Sequence, residues 1–468
     1  MERVEVEALV IGAGPGGYVA GIRLGQLKVK ALVVERDARP GGVCLNVGCI
    51  PSKALITAAK QYAFMRQASS IGLVADGVRL EMGRLQGWKE EIVGKLTSGV
   101  RQLLKANGCD YRTGVATFRS PHEVEVRGAG GELLVAAQHV VIATGSQPIS
   151  LPHLPVDGVR VLDSTGALAL REVPGSLVVI GGGYIGVEIG TLYAKLGARV
   201  TIVEATGALL PGVDPDLVGV VARRLRKLGV EVHLGTQAAG LSQQNGHTRV
   251  DLAGPGGELS VAADRVLVTV GRRPSAAGLG LERIGLEPDA RGFLTVDDRQ
   301  RTAVAGVYAI GDVARPPLLA HKAFKEGEVV AEVIAGRPAA FDVRAIPAVV
   351  YSDPEIATVG LTEADAERAG RTVAVGRFPF VANGRALAAL EPEGFVKIVR
   401  DADSGELLGY HAVGPDVSDL LAEGTLAIEL GALAQDVALT IHAHPTLAEA
   451  TMEAAKASLG EAIHIQNR

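Results

Sequence analysis

The sequence contains the same order of strand, glycine loop, helix, strand and acid twice, and each copy predicts a nucleotide-binding βαβ unit. In the first copy an apolar run at 6–11 leads into the glycine loop at 12–17, and a second apolar run ends at Glu35. In the second copy a run at 177–180 leads into the loop at 181–186, and the next strand ends at Glu204. Glycines allow close approach of a pyrophosphate, the helix N-terminus favours its charge, and the acid can bind a ribose hydroxyl. The chain is therefore predicted to bind two dinucleotides.

The acid in the second copy indicates which pyridine nucleotide is bound. A carboxylate at this strand end favours the free 2′-hydroxyl of NAD, whereas an NADP site more often has an arginine there for the phosphate. Glu204 therefore predicts NAD.

Length and charge limit the remaining possibilities. A chain of 468 residues exceeds one hydrophobic core and predicts about three domains. A formal net charge of -5 without blocks of like charge makes nucleic acid and anionic membranes improbable partners. No secretory signal precedes the first strand, and no apolar run is judged long enough to span a bilayer. We expect a soluble, cytoplasmic protein.

Two cysteines four residues apart, Cys44 and Cys49, lie in a glycine-rich stretch at 41–53. A disulfide across so short a loop stabilises a fold weakly, so the pair is better suited to redox chemistry than to cross-linking. Pro51 fits the first turn of a helix to about residue 66, whose positive end would favour a thiolate at Cys49. Two buried structural cysteines or half a zinc site remain alternatives, although zinc is disfavoured because only Cys109 is left over.

Several strands end in short polar segments. The runs at 140–145 and 266–271 resemble crossing points between a nucleotide domain and its neighbour, and the run at 302–312 ends in an acidic turn at Asp312. That carboxylate can accept a hydrogen bond from a ribityl hydroxyl or act only as a helix N-cap, and both readings stay open.

The chain changes character near residue 346, where short alternating runs followed by helices predict a separate α+β domain. Its last part carries His444 five residues before Glu449, across a proline turn. The carboxylate can hold the histidine in one tautomer as a base, although a surface turn is the alternative. His442 is expected to be a packing residue.

Taken together, these motifs resemble those of the pyridine nucleotide-disulphide oxidoreductases over essentially the whole chain. The resemblance implies an α/β fold with two Rossmann-like nucleotide-binding domains and a C-terminal α+β dimerisation domain. The implied domains are an FAD-binding domain in two parts (1–147 and 274–345), an NAD-binding domain (148–273) and the dimerisation domain (346–468).

The resemblance also implies FAD and NAD as cofactors and assigns their contacts by motif position. FAD would contact Gly12, Gly14, Gly17, Glu35, Gly42, Lys53, Ala116, Thr144, Gly145, Asp312, Ala320 and His321. NAD would contact Gly181, Gly183, Tyr184, Ile185, Gly186, Glu204 and Gly271.

The catalytic residues implied by the resemblance are the two cysteines, an ion pair and a base. Cys49 would lie against the flavin, and Cys44 would exchange with the substrate. Lys53 would pair with Glu188, and His444 would take the substrate proton while Glu449 orients it. The cysteine and histidine motifs are most similar to those of family members that oxidise protein-bound dihydrolipoamide with NAD.

The implied partners are a second copy of the chain and a lipoyl-bearing acyltransferase of a 2-oxo acid dehydrogenase complex. In such a homodimer the His444 dyad would reach the thiols of the other subunit. One alternative is another NAD(P)H-dependent disulfide reductase, which Glu204 and the Pro51-Ser52-Lys53 sequence disfavour. A second alternative, a mainly structural subunit of a dehydrogenase complex, is disfavoured by the complete set of thiols and base.

Overall fold

The computed structural model describes residues 2–244 and 247–467. Met1 and Arg468, at the outer ends of the first and last predicted domains, lie outside the described residues. The chain divides into two compact units. The first contains Met1–Val173 and Val268–Asp342, and the second contains Pro174–Leu267 and Val343–Arg468. The four domain boundaries predicted from the sequence stay a prediction.

The helices and strands of the described residues are given in chain order. The α-helices are α1 Pro15–Gln26, α2 Gly42–Asn46, α3 Cys49–Gln67, α4 Met82–Ala106, α5 Ser164–Leu168, α6 Tyr184–Leu196, α7 Pro215–Lys227, α8 Ala320–Ile334, α9 Glu363–Arg368, α10 Gly384–Ala388, α11 Val417–Leu430, α12 Ala434–Leu439 and α13 Glu449–Leu459. The strands are β1 Glu2–Ile11, β2 Ala31–Glu35, β3 Asp110–Thr113, β4 Val115–Ser120, β5 Glu123–Gly128, β6 Gly131–Ile142, β7 Ser146–Pro148, β8 Val161–Leu162, β9 Ser176–Ile180, β10 Arg199–Val203, β11 Glu231–His233, β12 Gln237–Gln244, β13 His247–Gly254, β14 Gly257–Ala262, β15 Arg265–Val268, β16 Arg272–Pro274, β17 Val307–Ala309, β18 Ala348–Val350, β19 Glu355–Gly360, β20 Val373–Pro379, β21 Phe395–Asp401 and β22 Leu407–Gly414.

The first unit is built on a sheet in the order β3-β2-β1-β6-β5-β4, with β17 also pairing with β6. Strands β1, β2, β3, β6 and β17 are joined by parallel pairings, whereas β4, β5 and β6 form an antiparallel meander. The parallel strands end at one edge of the sheet, where ligands of open α/β sheets bind. Glu35, Gly12, Thr144 and Asp312 all lie at that edge, because they end or follow β2, β1, β6 and β17.

The first strand is longer than its apolar run predicts. The prediction begins at residue 6, but β1 begins at Glu2, because residues 2–5 pair with Leu133–Ala136 of β6. This pairing partner is more than 100 positions away, so no local pattern indicates it.

The second unit contains three sheets. A parallel sheet has the order β11-β10-β9-β15, a small antiparallel sheet has the order β12-β13-β14, and a larger antiparallel sheet has the order β18-β19-β22-β21-β20. Helices α11 and α13 pack on the larger sheet, and Gly376 permits this because a Cβ there would lie 2.0 Å from the carbonyl oxygen of Ala454. The predicted fold class, two nucleotide-binding folds and a C-terminal α+β domain, is confirmed.

One stretch of the described chain, Gly42–Ile71, is long and apolar enough to cross a membrane by length and composition, which the sequence analysis did not anticipate. This is weak support for a membrane span. The stretch is divided between α2 and α3 at Val47 and Gly48, and it carries the cysteine pair. We therefore read α3 as a helix of the globular fold.

A buried ion-pair network holds the turn that carries Asp312. Glu326 Oε2 accepts a hydrogen bond from the Gly311 amide at 2.7 Å, and Oε1 lies 3.3 Å from Lys322 Nζ. Lys322 Nζ also donates to the carbonyl oxygen of Arg315 at 2.6 Å. Both side chains of the pair are 0% exposed, and burial lowers the pKa of Lys322 although Glu326 opposes this. The network therefore joins α8 to the turn after β17.

Glu326→Gln should destabilise the first unit by about 3–5 kcal/mol, because it leaves the Lys322 charge buried without its carboxylate. Glu328→Gln is the matched control on the same helix. Its partner Lys325 is 3.8 Å away and both side chains are about half exposed, so we expect less than about 1 kcal/mol. Urea unfolding followed by the fluorescence of Trp88, the single tryptophan of the chain, reports on this unit. Equal midpoints for the two variants would refute the role of the network.

Candidate active site and nucleotide sites

The first glycine loop is held by the acid predicted to bind a ribose. Glu35 is buried, and its Oε2 accepts a hydrogen bond from the Ala13 amide at 2.7 Å while Oε1 accepts one from Asp37 N at 3.1 Å. Gly12 has a φ of 103°, and a Cβ there would lie 2.4 Å from the carbonyl oxygen of Ala143. A Cβ on Gly17 would lie 1.9 Å from the carbonyl oxygen of Gly12. The loop therefore packs tightly between β6 and α1, as a dinucleotide site requires.

The start of α1 suits an anion. Its N-cap residue, Gly14, makes no side-chain hydrogen bond to the helix, and the first turn has no acidic residue. A Cβ on Gly42 would lie 2.7 Å from Gly14 Cα, so the start of α2 lies against the loop. No side chain of the described residues caps the start of α1, and a pyrophosphate fits this helix start in charge and size.

The end of β6 supplies a second sign that the first unit holds a ligand. The Thr144 hydroxyl is buried and has no hydrogen-bond partner among the described residues. Buried hydroxyls are nearly always paired, so this orphan fits a polar group of a bound cofactor. Together with the uncapped α1 and the sheet edge, it shows that the residues present fit FAD.

Asp312 lies in a polar chain that the sequence did not predict. Its Oδ2 accepts a hydrogen bond from the Ser146 hydroxyl at 2.6 Å, and that hydroxyl accepts one from Arg272 Nε at 2.8 Å. Ile310, not Asp312, is the N-cap of the short 3-10 helix Gly311–Val313. Asp312 is therefore not a helix N-cap in the structure.

The other residues predicted to contact FAD are spread over the same unit. Ala116 is buried on β4, Gly145 follows β6 with a φ of 70°, and Ala320 and His321 begin α8. They belong to different elements of one compact unit, and their roles stay predictions.

The second glycine loop repeats the geometry of the first in the second unit. Glu204 Oε2 accepts a hydrogen bond from the Gly182 amide at 2.7 Å, and Oε1 accepts one from Thr206 N at 2.7 Å. Helix α6 again starts without a side-chain cap on Gly183 and without an acid in its first turn, the turn that contains Tyr184, Ile185 and Gly186. Gly181 has a φ of 107°. Gly271, also predicted to contact NAD, lies in the first unit, where its carbonyl oxygen accepts from Ile149 N.

The two predicted redox cysteines are adjacent thiols. Cys49 is the first residue of α3, whose N-cap Gly48 makes no side-chain hydrogen bond, and Cys44 lies in α2. A hydrogen bond to the Cys49 side chain, then burial, raise the pKa of Cys44, while Lys53 lowers it and Asp312 raises it further. The structure therefore brings Cys49, Lys53 and Asp312 within electrostatic reach of Cys44. Cys49 is the more exposed of the two thiols.

Tyr18 is a residue of this site that the sequence analysis missed. Burial, and then the nearby Cys44, raise the pKa of the Tyr18 hydroxyl to about 12. Tyr18 directly follows the first glycine fingerprint, and this position is the signal that would have indicated it.

Lys53 and Glu188 lie in different units. Glu188 is buried on α6, where its Oε1 accepts a hydrogen bond from the Tyr351 amide at 2.9 Å. The predicted pairing of Lys53 with Glu188 stays a prediction.

The predicted base and its orienting acid are in contact. His444 Nδ1 lies 2.9 Å from Glu449 Oε1, and Glu449 Oε2 accepts a hydrogen bond from Thr446 N at 2.9 Å. Burial raises the pKa of Glu449, but the hydrogen bonds from Thr446 and His444 lower it more, so the net shift is downward. The ionised carboxylate holds the proton of His444 on Nδ1, which leaves Nε2 to accept a proton.

His442 has a partner that the sequence did not indicate. Its Nε2 lies 2.8 Å from Glu423 Oε1 of α11, 19 positions earlier. No sequence motif contains both residues, so only the folded chain relates them.

One group of carboxylates among the described residues, Asp214, Asp216 and Glu363, is close enough to hold a metal ion. Lys397 Nζ lies among them, hydrogen-bonded to Asp214 and 2.9 Å from Glu363, and Arg377 contacts Asp216 and Glu363. Two basic side chains therefore compensate two of the three negative charges of this cluster.

Comparison with known proteins agrees with these sites. The family model described as pyridine nucleotide-disulphide oxidoreductase matches residues 6–327. The chain belongs to this family. The model of the pyridine nucleotide-disulphide oxidoreductase dimerisation domain matches residues 346–455. The chain is a flavoprotein oxidoreductase that uses FAD and NAD(H).

Relatives within the pyridine nucleotide-disulphide oxidoreductase family share the full length of the chain. Proteins named dihydrolipoyl dehydrogenase from Geobacillus stearothermophilus and Haloferax volcanii are 49% and 50% identical, each over 99% of this chain and 98% of the relative. The crystal structure of LpdA from Mycobacterium tuberculosis has a TM-score of 0.90 and 27% identity over 96% of this chain and 99% of that one. A HOCl-induced flavoprotein disulfide reductase, RclA from Escherichia coli, has a TM-score of 0.86 and 28% identity over 96% and 99%.

Proposed function

We propose that the chain oxidises dihydrolipoyl groups to the cyclic disulfide and passes the electrons to NAD. The observation that carries this proposal is the pair of adjacent thiols, Cys44 and Cys49, beside a dinucleotide fold. The names of the relatives, which are about half identical over their full length, support the substrate.

In the proposed reaction the chain starts with a Cys44-Cys49 disulfide. His444 Nε2 takes the proton of one substrate thiol, whose sulfur then bonds to Cys44 Sγ as the bond between the two cysteines breaks and Cys49 leaves as a thiolate. The second substrate thiol, once deprotonated, attacks the substrate sulfur of this mixed disulfide. The cyclic disulfide leaves, and Cys44 keeps the electron pair and takes a proton.

The environment of the reduced pair supports different roles for Cys44, which exchanges with the substrate, and Cys49, which becomes the thiolate. The hydrogen bond with Cys49, followed by burial, raises the pKa of Cys44 and favours its protonated form. Cys49 is the first residue of α3, where the partial positive charge of the helix stabilises a thiolate. FAD, when bound, supplies the two-electron acceptor between this thiolate and NAD. The residues predicted above to contact FAD and NAD are retained as proposals.

The homodimer is the second part of the proposal. The C-terminal domain exposes Leu426, Leu430, Leu439 and Ile441, which are 61–95% exposed, and a second copy would cover them. The His444 side chain is 80% exposed in its own protomer, which suits a base that serves the thiols of the partner subunit. The ion pair of Lys53 with Glu188 implied by the resemblance is retained as a proposal.

We further propose a lipoyl-bearing acyltransferase of a 2-oxo acid dehydrogenase complex as the partner that presents the substrate. The names of the relatives, dihydrolipoyl dehydrogenase, support a dihydrolipoyl group as the substrate that this partner would carry. The cytoplasmic location expected from the sequence remains a prediction.

Anaerobic mixing of the flavin-loaded protein with dihydrolipoamide, followed by NAD, tests the function. We expect rapid reduction of the protein and reoxidation by NAD, with little NADPH-driven turnover of glutathione disulfide, because the carboxylate of Glu204 offers no cation to a 2′-phosphate and would repel it. Turnover of glutathione disulfide with NADPH, without reduction by dihydrolipoamide, would leave the fold as described but assign a different substrate. No turnover with either pair, together with binding of an acyltransferase core, would favour a structural subunit.

A further inference from the structure

A second histidine–carboxylate pair lies two residues before the proposed base. His442 and His444 differ in exposure, since the His442 side chain is 6% exposed and that of His444 is 80% exposed. The exposed ring can reach a substrate, whereas the buried ring can act only on the protein around it.

Both ring nitrogens of His442 face acceptors. Nδ1 lies 2.9 Å from the carbonyl oxygen of Thr440, and Nε2 lies 2.8 Å from Glu423 Oε1. A carbonyl oxygen cannot donate, so Nδ1 carries a hydrogen. The contact at Nε2 then needs a second proton, either on the ring or on the Glu423 carboxyl. Whichever of the two groups carries that proton, the hydrogen bond joins His442 to Glu423 on α11.

The segment that carries His444 is fixed at its other end by different contacts. Thr446 Oγ donates to the carbonyl oxygen of Ala443 at 2.7 Å, and Asn383 Nδ2 donates to the carbonyl oxygen of Thr446 at 3.0 Å. Glu449 accepts from Thr446 N. His444 thus lies between one attachment made by His442 and another made by Thr446.

We propose that His442 and Glu423 are positioning residues that hold the His444 imidazole on Glu449. The inference rests on the proposed function, because it concerns the base of that reaction. Neither residue touches the reacting atoms, and their effect passes through the backbone of residues 442–444. A small displacement of a base is costly, since proton transfer depends on its alignment with the substrate.

Two substitutions of Glu423 distinguish a positioning role from an effect of its negative charge alone. In Glu423→Gln, a neutral His442 can keep Nδ1–H on Thr440 and accept an amide hydrogen at Nε2, so the attachment survives without the extra proton. In Glu423→Ala the attachment is lost. We expect kcat for dihydrolipoamide to fall about tenfold or more in the alanine variant with little change in KM. The glutamine variant should stay within about threefold of the parent protein.

Two further readouts complete the experiment. NADH-driven reduction of ferricyanide does not need the base, and we expect it to be unchanged in both variants. Carbethoxylation of His444 by diethyl pyrocarbonate, followed by peptide mass spectrometry, needs no dithiol turnover. Its rate should fall severalfold in Glu423→Ala, as in Glu449→Gln, because a ring released from its carboxylate is less nucleophilic.

The inference is overturned if Glu423→Ala keeps full dithiol turnover, if both variants lose activity equally, or if ferricyanide reduction falls in parallel. A parent protein without dihydrolipoamide turnover would refute the proposed function. The carbethoxylation rates would then still decide whether Glu423 positions His444.

Discussion

Cys44→Ser is expected to lower dihydrolipoamide oxidation on the order of 10³-fold or more, the scale seen when an enzyme loses its nucleophile. A serine hydroxyl cannot form the disulfide that the substrate thiol must open, so both the mixed disulfide and its precursor are lost. Flavin should remain bound, because the glycine loop at 12–17 and Glu35 are unchanged. The measurement is steady-state NADH production from dihydrolipoamide, together with the flavin absorbance of the purified variant.

The matched control is Cys109→Ser, which changes the remaining cysteine of the chain. Cys109 is 3% exposed in the core beside α1 and α4, and burial raises its pKa to about 12. Such a thiol is protonated at neutral pH and unreactive. We expect full turnover in the control. Unchanged turnover in Cys44→Ser would contradict the thiol mechanism.

His444→Gln is expected to slow oxidation of the dithiol by about 10²-fold or more, the usual contribution of a general base. The glutamine amide can still donate to Glu449 but cannot take a proton from the substrate. Rapid mixing of the oxidised protein with dihydrolipoamide measures this half-reaction directly. Oxidation of NADH with ferricyanide should be unaffected, because it does not require deprotonation of a dithiol.

His464→Gln provides a matched control for this substitution. His464 Nδ1 lies 3.2 Å from Glu453 Oε1 in the same unit and its side chain is 64% exposed, so it is a second exposed histidine beside a glutamate, without a proposed role in the reaction. An equal loss of dithiol oxidation in His444→Gln and His464→Gln would mean that the loss is not specific to the proposed base. A normal rate in His444→Gln would assign this histidine to the surface turn that the sequence left as an alternative.

The sequence predicted the parts of the nucleotide sites that are local. Glycine, helix start and acid follow one another within a few dozen positions. The helix ends expected near 27 and 196 and the strands expected at 31–34 and 200–203 agree with the structure to about one residue, whereas α1 and α6 begin about three residues earlier, inside the glycine loops. Helix α3 also begins and ends close to its predicted limits. These elements follow from turn chemistry and apolar periodicity, which act between near neighbours.

The antiparallel strands within the two nucleotide-binding regions were not predicted. Strands β4 and β5 and the sheet β12-β13-β14 contain many polar and exposed residues, so their apolar pattern is weak. Their order follows from backbone pairing with neighbours, such as β5 with β6, rather than from a buried face that is visible in the sequence.

Short motifs in the sequence indicate two dinucleotide folds, a close cysteine pair and a histidine five residues before a glutamate. Which distant side chains meet follows only from the folded chain. Asp312 meets Ser146 across 166 positions, Glu188 meets the Tyr351 amide across 163, and His442 meets Glu423 on another helix. Such contacts depend on the packing of whole elements, and no local propensity encodes them, so they become visible only when the chain is folded.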